Sequence, residues 1–250
     1  MTSLKFLGNG SAFNYDLDNT AAYFKYDNTF YIFDCGEKIA SKIIKYIDFS
    51  KENDVVICIT HMHGDHIGSL EALLVYLTII NPVHNVTILC SNKNKMIAFL
   101  KLTDFNYELV NIVEDEIYKD KNVTIESVET KHISNSRSYF VYSPLEKFFY
   151  SGDTCLLNEK AKQMLFAGEL DTLYHEVSNK DSNFHIGLDT MCKEIPLEYR
   201  NRVFLMHFDS DLLIKKCIDE GFNIARAIWL LSRFEYYFEI STVVVLFSFA

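Results

Sequence analysis

The sequence predicts an α/β fold in which helices cover two β-sheets. Short apolar runs typical of strands alternate with segments whose apolar residues recur at helical spacing. Several of the strand-like runs are followed directly by histidine or aspartate. The composition is that of a globular chain: 49% of the 250 residues are hydrophobic and 23% are charged, with only 9 Gly and 3 Pro. Periodicity alone leaves the order of the strands open.

The predicted strands are apolar runs bounded by polar residues. The pair Asp27-Asn28 lies between two of them and predicts a hairpin turn. The strands are predicted at 4–7, 21–26, 29–33, 54–60, 86–90, 123–130, 139–142, 148–151, 172–175 and 203–206.

Helical spacing of apolar residues predicts five helices, and Gly221 is expected to end the last of them. They are predicted at 37–46, 67–77, 92–102, 159–167 and 211–220.

The bulk properties argue against some classes of function. The net charge is −10 and no long basic run is present, which disfavours tight, nonspecific binding of long nucleic acids. The six cysteines are scattered without a C-x-x-C pair, so we expect reduced thiols within the core. The first residues lack the apolar core of a signal peptide, and a cytoplasmic location is therefore expected.

The segment 61–66 is the most informative part of the chain. It reads His61-Met62-His63-Gly64-Asp65-His66 and places four potential metal ligands within six residues. The segment lies on the turn between a predicted strand and a predicted helix, which can hold ligands rigidly. Imidazole and carboxylate together suit zinc or a similar transition ion.

Three further positions repeat this pattern one residue at a time. Asp153 follows an aromatic strand, His207 follows the strand at 203–206, and His132 follows the strand at 123–130. A single such residue is usually only solvated, but together with the segment 61–66 they supply donors for two ions with one carboxylate between them.

In these motifs the chain resembles the metallo-β-lactamase superfamily over residues 1–226, beginning at Asp34-Cys35-Gly36. The resemblance implies a four-layer αββα sandwich with a metal site at one edge of the paired sheets. It implies a first ion on His61, His63 and His132. It implies a second ion on Asp65, His66 and His207, with Asp153 bridging the two. Asp34 is expected to orient a ligand rather than to bind metal.

Within the superfamily the chain is most similar to the ribonuclease Z branch. Residues 7–13 resemble its Gly-rich turn, although Asp18 stands where that branch carries arginine. The resemblance implies that His185 protonates the leaving oxygen, that Glu176 orients His185, and that Asp65 also belongs to the catalytic set. The branch commonly carries a long substrate-gripping arm after the position of His132. Here only a short hairpin separates His132 from Asp153.

The function expected from these features is a dinuclear metal-dependent phosphodiesterase that acts on a small nucleotide-type or cyclic phosphodiester. A water shared by two divalent ions would supply hydroxide near neutral pH. Zinc is the expected ion, and manganese or iron fit the same donors. The alternatives are a ribonuclease Z-like endonuclease on RNA 3′ ends, an acyl or lactone hydrolase, and a non-catalytic nucleotide-binding member.

The last segment, 227–250, is unusually apolar but its uncharged part is too short for a membrane span. We expect it to pack on the domain as an extension, with a homodimer contact and an aggregation-prone or non-native tail as the alternatives.

Overall fold

A computed structural model describes residues 4–228, and these residues form two β-sheets. The first sheet contains β1 (Lys5–Gly8), β2 (Ala21–Tyr26), β3 (Thr29–Phe33), β4 (Asp54–Cys58), β5 (Asn85–Leu89) and β6 (Asn111–Val113), in that order. The second contains β7 (Ile117–Asp120), β8 (Val123–Glu129), β9 (Arg137–Tyr142), β10 (Lys147–Tyr150), β11 (Thr172–Glu176), β12 (Val203–Met206) and β13 (Asn223–Ile224), and it too follows chain order.

Both sheets change from antiparallel to parallel pairing part-way across. In the first sheet β1, β2 and β3 are antiparallel, and β3 to β6 are parallel. In the second sheet β7 to β10 are antiparallel, and β10 to β13 are parallel. The parallel strands therefore end at the same edge of their sheet, which is where loops can assemble a site.

Helices cover the outer face of each sheet. Their bounds are α1 (Ile39–Tyr46), α2 (Gly64–Ile67), α3 (Leu70–Val75), α4 (Lys93–Leu102), α5 (Glu159–Ala167), α6 (Leu188–Glu194) and α7 (Asp211–Asp219). Apolar residues of α1, α3 and α4 pack on the first sheet, and those of α5, α6 and α7 pack on the second. The expected four-layer αββα sandwich is confirmed.

The alternation along β3 shows how the sequence builds these layers. Phe30 and Ile32 face the outer helices, whereas Tyr31 and Phe33 enter the layer between the sheets. Side chains of a strand point alternately to its two faces, so a strand buried on both sides must be apolar throughout. The layer between the sheets is rich in aromatic rings, including stacked Phe24 and Tyr31 at 4.7 Å.

The sequence-based helix at 67–77 is wrong as a single element. The chain forms α2, breaks at Gly68-Ser69, forms α3 and continues as a π-helical turn at Tyr76–Ile80. The break has a tertiary cause: the Ser69 backbone N–H donates to the Cys35 carbonyl, and the Ser69 hydroxyl accepts from the Ala40 N–H. The strands β6 and β7, the two-residue β13 and the helix α6 were not predicted.

The apolar extension at 227–250 lies outside the described residues except for its first two positions. Ala227 is buried and forms a parallel bridge with Phe6. Among residues 4–228, no helix is both long and apolar enough to cross a membrane.

Candidate metal centre

The predicted ligands meet at one edge of the sandwich, where both sheets contribute. The first sheet supplies the loop after β4, from His61 into the first turn of α2, where Asp65 and His66 lie. The second sheet supplies single residues that follow β8, β10 and β12, namely His132, Asp153 and His207. The structure thus brings all seven sequence-predicted ligands into one cluster.

Three imidazoles form the first group of donor atoms. His61 Nε2 lies 2.9 Å from His63 Nδ1, and His132 Nε2 lies 3.2 Å from the same atom. In a tetrahedral zinc site with bonds of about 2.0–2.1 Å, neighbouring ligand atoms are roughly 3.3 Å apart. The three nitrogens are therefore spaced as donors to a common ion.

Two carboxylates and two imidazoles form the second group. His66 Nε2 lies 3.3 Å from Asp65 Oδ2 and 3.4 Å from Asp153 Oδ1. His207 Nε2 lies 3.5 Å from Asp65 Oδ2 and 3.4 Å from Asp153 Oδ2. These four residues are buried.

Asp153 lies between the two groups. Its Oδ2 atom is 3.9 Å from His61 Nε2 and 3.8 Å from His132 Nε2, in addition to its contacts within the second group. One carboxylate is thus within reach of both sets of imidazoles, which is the position that a bridging ligand requires.

The residues fit a pair of divalent ions. The Nε2 atoms of His66 and His207 are buried and make no hydrogen bond within the described part of the chain. Leaving a buried polar atom without a partner is unfavourable, and a bound ion would satisfy both nitrogens. Imidazole nitrogen and carboxylate oxygen are also the donors that zinc and similar ions prefer.

Asp34 positions one ligand of each group, His66 directly and His61 through Thr60. It accepts hydrogen bonds from the Thr60 backbone N–H at 2.8 Å and pairs with His66 Nδ1 at 2.9 Å. The Thr60 hydroxyl lies 2.9 Å from Asp34 Oδ2 and 3.1 Å from His61 Nδ1, so it links the carboxylate to a second ligand. A partner on Nδ1 fixes a histidine's orientation and leaves Nε2 for the ion.

The backbone is in the left-handed region at three positions around the site. Asp34 and His207 have φ of 62° and 65°, and Gly152, next to Asp153, has φ of 56°. Residues other than glycine rarely adopt this conformation, and such strain often marks functional positions. A Cβ on Gly152 would lie 2.8 Å from the Thr60 side chain, so glycine is also needed there for space.

The charges of the cluster suit cation binding. Burial, and next the charge of His66, lower the pKa of His61 to about 2, which keeps its lone pair available. Burial by itself would raise the pKa of Asp153, but the charges of His207 and His66 bring that pKa well below its ordinary value. The cluster therefore presents neutral His61 beside an ionised Asp153.

His185 and Glu176 form a pair beside the metal ligands. His185 Nδ1 lies 2.8 Å from Glu176 Oε2, and Glu176 is fully buried. The His185 ring is 5.2 Å from the His132 ring and 5.3 Å from the His207 ring, so it adjoins both donor groups. Burial, and next the charge of Asp153, raise the pKa of Glu176. A buried carboxylate of this kind favours a neighbouring N–H donor, which His185 provides.

Five of the seven donors line a cavity of about 710 Å³, namely His63, Asp65, His132, Asp153 and His207. No lysine or arginine is among the described residues that line it, whereas the carboxylates of Glu37 and Asp209 are. Both oxygens of Asp209 accept from Asn179 Nδ2, at 2.8 and 2.9 Å. Glu37 Oε1 lies 3.9 Å from where a Cβ on Gly64 would be, which places it beside the ligand loop. Two exposed rings, Phe13 and Phe184, also line this cavity.

The hairpin between His132 and Asp153 is short. It consists of β9 and β10, which pair from Tyr139–Tyr150 to Tyr142–Lys147 and are joined by a turn in which the Ser143 N–H donates to the Glu146 carbonyl. No arm interrupts the chain between these two ligands.

Three residues at the site and two histidines fall outside the sequence-based assignments. Sequence reasoning gave no role to Thr60, Glu37 or Asp209, because the pattern of a single chain does not show which residues lie next to the ligands or line their cavity. His84 is exposed and pairs with Asp54 at 2.8 Å. His175 is buried with Nδ1 on the carbonyl of the next residue, and burial lowers its pKa to about 4.

The family of the chain follows from a comparison over nearly all of the described residues. The sequence profile of the family described as "Anti-Pycsar protein Apyc1" matches residues 2–225. The chain belongs to this family. A member from Bacillus phage BSP38 is 26% identical over 236 residues, which cover 84% of this chain and 90% of that protein. A "Ribonuclease Z" from Borrelia hermsii is 26% identical over 217 residues, covering 67% of this chain and 66% of that protein.

Solved structures share the fold. Human tRNase Z, short form, superposes with a TM-score of 0.66 at 17% identity, covering 90% of this chain and 96% of that one. The metallo-beta-lactamase fold protein YhfI from Bacillus subtilis gives 0.67 at 17% identity, with 90% and 96% covered. A diphosphatase from the PhnP family gives 0.65 at 18% identity, with 90% and 94% covered.

These comparisons confirm the predicted metallo-β-lactamase fold and the likeness to the ribonuclease Z branch. Together with the cluster of histidines and aspartates, they identify the chain as a metal-dependent hydrolase.

Proposed function

We propose that this family member is a phosphodiesterase that uses two divalent ions, with zinc as the expected ion, on a small nucleotide-type or cyclic phosphodiester. The observation that supports the proposal is the His185–Glu176 pair beside seven metal donors. A phosphodiester has an alkoxide leaving group that needs a proton, and this pair is placed to give one. Manganese and iron suit the same donors.

The proposed ligands are those expected from the sequence. His61, His63 and His132 would hold one ion, and Asp65, His66 and His207 the other, with Asp153 shared between them. Bound there, the ions would supply a nucleophile from water and neutralise charge on the phosphate. Asp34 and Thr60 would keep His61 and His66 in the orientation that presents Nε2.

His185 would act as the proton donor. The Glu176 carboxylate accepts from His185 Nδ1, which fixes the ring and leaves Nε2 as the atom that can reach the leaving oxygen. In the doubly protonated ring, Nε2 carries the proton that is transferred. Glu176 is therefore a positioning residue, whereas His185 is the catalytic acid.

The surroundings of the site favour a small substrate with one phosphate. The described residues that line the cavity include no lysine or arginine to bind further phosphates, and the carboxylates of Glu37 and Asp209 would repel them. The short β9–β10 hairpin leaves no arm to grip a folded RNA. A cyclic nucleotide, which carries one negative charge, fits these surroundings better than an RNA chain.

We also propose a cytoplasmic location. All six cysteines are free thiols, as they would be in a reducing compartment.

The proposal is tested by measuring metal content together with hydrolysis. Purified protein should hold about two ions per chain and should cleave bis(p-nitrophenyl) phosphate and a 3′,5′-cyclic nucleotide until a chelator is added. Cleavage of RNA 3′ ends in preference to both compounds would favour the ribonuclease Z-like alternative. Two ions without phosphodiester cleavage, but with cleavage of a thioester or lactone, would favour an acyl hydrolase. Folded protein without metal would overturn the proposal.

A further inference from the structure

Two solvent-exposed phenylalanine rings line the cavity of the proposed active site. The Phe13 side chain is 85% exposed and Phe184 is 50% exposed, and both line the cavity that five of the metal donors also line. Exposing a large apolar ring is unfavourable, and a ring at the rim of a polar site is a candidate contact for an apolar part of the substrate.

The turn that carries Phe13 is fixed to the metal site. The Ser11 backbone N–H donates to the Phe208 carbonyl at 2.9 Å, and Asn14 Nδ2 donates to the same carbonyl at 3.1 Å. Phe208 directly follows the proposed ligand His207. The Asn14 N–H also closes the turn onto the Ser11 carbonyl at 3.1 Å. The turn that carries Phe13 is therefore held beside the donors, and the Phe13 ring itself is exposed.

Phe184 is tied to the other donor group. Its carbonyl accepts from His132 Nδ1 at 3.0 Å, and its ring lies 5.7 Å from the His132 ring. The Ser182 hydroxyl accepts from the Phe184 N–H at 3.1 Å and from the His185 N–H at 2.9 Å. The backbone of Phe184 is thus held between a proposed ligand and the proposed proton donor, and its ring lies against His132.

We propose that Phe13 and Phe184 bind the base of a nucleotide substrate by stacking, and that they make the enzyme selective for phosphodiesters that carry a flat heteroaromatic group. The inference rests on the proposed phosphodiesterase function. Because the described lining of the cavity offers no cation for a further phosphate, the base is the part of the substrate that these rings can recognise. Every base has a π-face, and the selection is therefore for the presence of a base and only weakly for its identity.

The test compares two substrates that differ only in the base. Wild-type protein loaded with zinc is assayed on 3′,5′-cyclic AMP and on ribose 3′,5′-cyclic phosphate, which has no base. Phe13→Leu and Phe184→Leu should each lower kcat/KM for cyclic AMP about tenfold, mainly through KM, because stacking is lost. The same variants should leave kcat/KM for the baseless compound within about twofold, since that compound has nothing to stack.

Two kinds of control separate stacking from a structural effect. Tyr15 belongs to the same turn region and is 54% exposed, but it does not line the cavity and its ring lies beneath Lys38 Nζ at 5.2 Å. Tyr15→Leu should therefore leave kcat/KM unchanged for both substrates. Phe13→Tyr and Phe184→Tyr keep a π-face and should retain the preference for cyclic AMP.

Several results would overturn the inference. Equal losses on the two substrates would show that the rings only support the fold or an interface between copies, and size-exclusion chromatography of Phe13→Leu would show the latter as a change in oligomeric state. An unchanged KM for cyclic AMP in both leucine variants would exclude stacking. If wild-type protein with bound metal cleaves neither compound, the proposed function fails and the inference fails with it. If wild-type protein cleaves cyclic AMP and the baseless compound at equal rates, the inference fails but the proposed function stands.

Discussion

The two sheets contribute to the proposed metal centre in different ways. The first sheet supplies one loop after β4, and that loop carries four donors within six residues. The second sheet supplies three donors from three separate strand ends, far apart in sequence. The first contribution is a local motif, whereas the second depends on the parallel alignment of strands. The sequence therefore predicts the loop's donors as one site. That the other three donors join them follows only from the topology.

The largest difference between the two contributions should appear when one carboxylate is removed from each. Asp153→Ala removes the ligand within reach of both donor groups, and we expect activity to fall at least ~10³-fold because charge stabilisation is lost at both ions. Elemental analysis should find fewer than two ions per chain. Asp65→Ala affects only the second group and should retain about one ion. Retention of full activity and of both ions in Asp153→Ala would refute the bridging position.

The proton donor gives a second test, because His185 lies outside the metal ligands of either sheet. His185→Ala should leave the metal content unchanged and slow cleavage of a cyclic nucleotide about 10²-fold, since its alkoxide leaving group needs a proton. A nitrophenyl ester has a good leaving group and should lose much less. Glu176→Gln should cause a smaller loss of the same kind. Equal losses on both substrates would argue against proton donation.

Removal of the metal tests whether the ions join the two sheets. Because each ion would bind donors from both sheets, with His132 or His207 joining the loop after β4 and Asp153 shared, the metal should stabilise the contact between the sheets as well as the loops. A chelator should lower the melting temperature by roughly 5–10 °C, and added zinc should restore it. The Asp153→Ala variant is the control and should show a much smaller shift. If the chelator leaves the melting temperature unchanged, the metal does not stabilise the contact between the sheets.

The smallest expected effect is on the free energy of unfolding, when each of two glycines with left-handed backbone conformation is replaced by alanine. Gly152 lies at the site against Thr60, whereas Gly168 caps α5 and has no atom within 4 Å of the place that a Cβ would occupy. Gly168→Ala should destabilise the protein by about 1 kcal/mol, from backbone strain alone. Gly152→Ala adds crowding and should cost about 2–4 kcal/mol. Urea unfolding measures both, and equal losses would show that crowding at Gly152 is unimportant.

Much of the fold was predictable wherever short-range patterns decide the structure. The strands β2 and β3 and the helix α5 were predicted at their observed bounds, and Asp27 takes the positive φ that a tight turn needs. These segments have a clear apolar period and polar boundaries. Consistent local signals of this kind usually survive in the folded protein.

Other elements were missed because the signal was weak or because a tertiary contact overrode it. The edge strand β7 is exposed or half-buried along its length, so it lacks an apolar run. The helix α6 has only seven residues, too few to show a period. The predicted helix at 67–77 is divided because Ser69 hydrogen-bonds to the loop at Cys35 rather than continuing α2. No local pattern encodes that contact.

The same limit applies to the site. The segment 61–66 and the single residues His132, Asp153 and His207 stand out by residue type, and the structure brings them together. The part played by Thr60 follows from its distances to Asp34 and His61, which a sequence does not give. Likewise, Phe13 and Phe184 become candidates for substrate binding only because the structure places both at one cavity.

The order of the proposed ligands along the chain has a consequence for biosynthesis. A nascent chain that has completed the first sheet carries the four donors of the β4 loop, but Asp153 and His207 are still to be translated. Such a chain holds four of the seven proposed ligands, because His132 is also still to be translated. Hydrolytic activity therefore arises late in translation, after residue 207 has left the ribosome, and a product truncated before that point is inert.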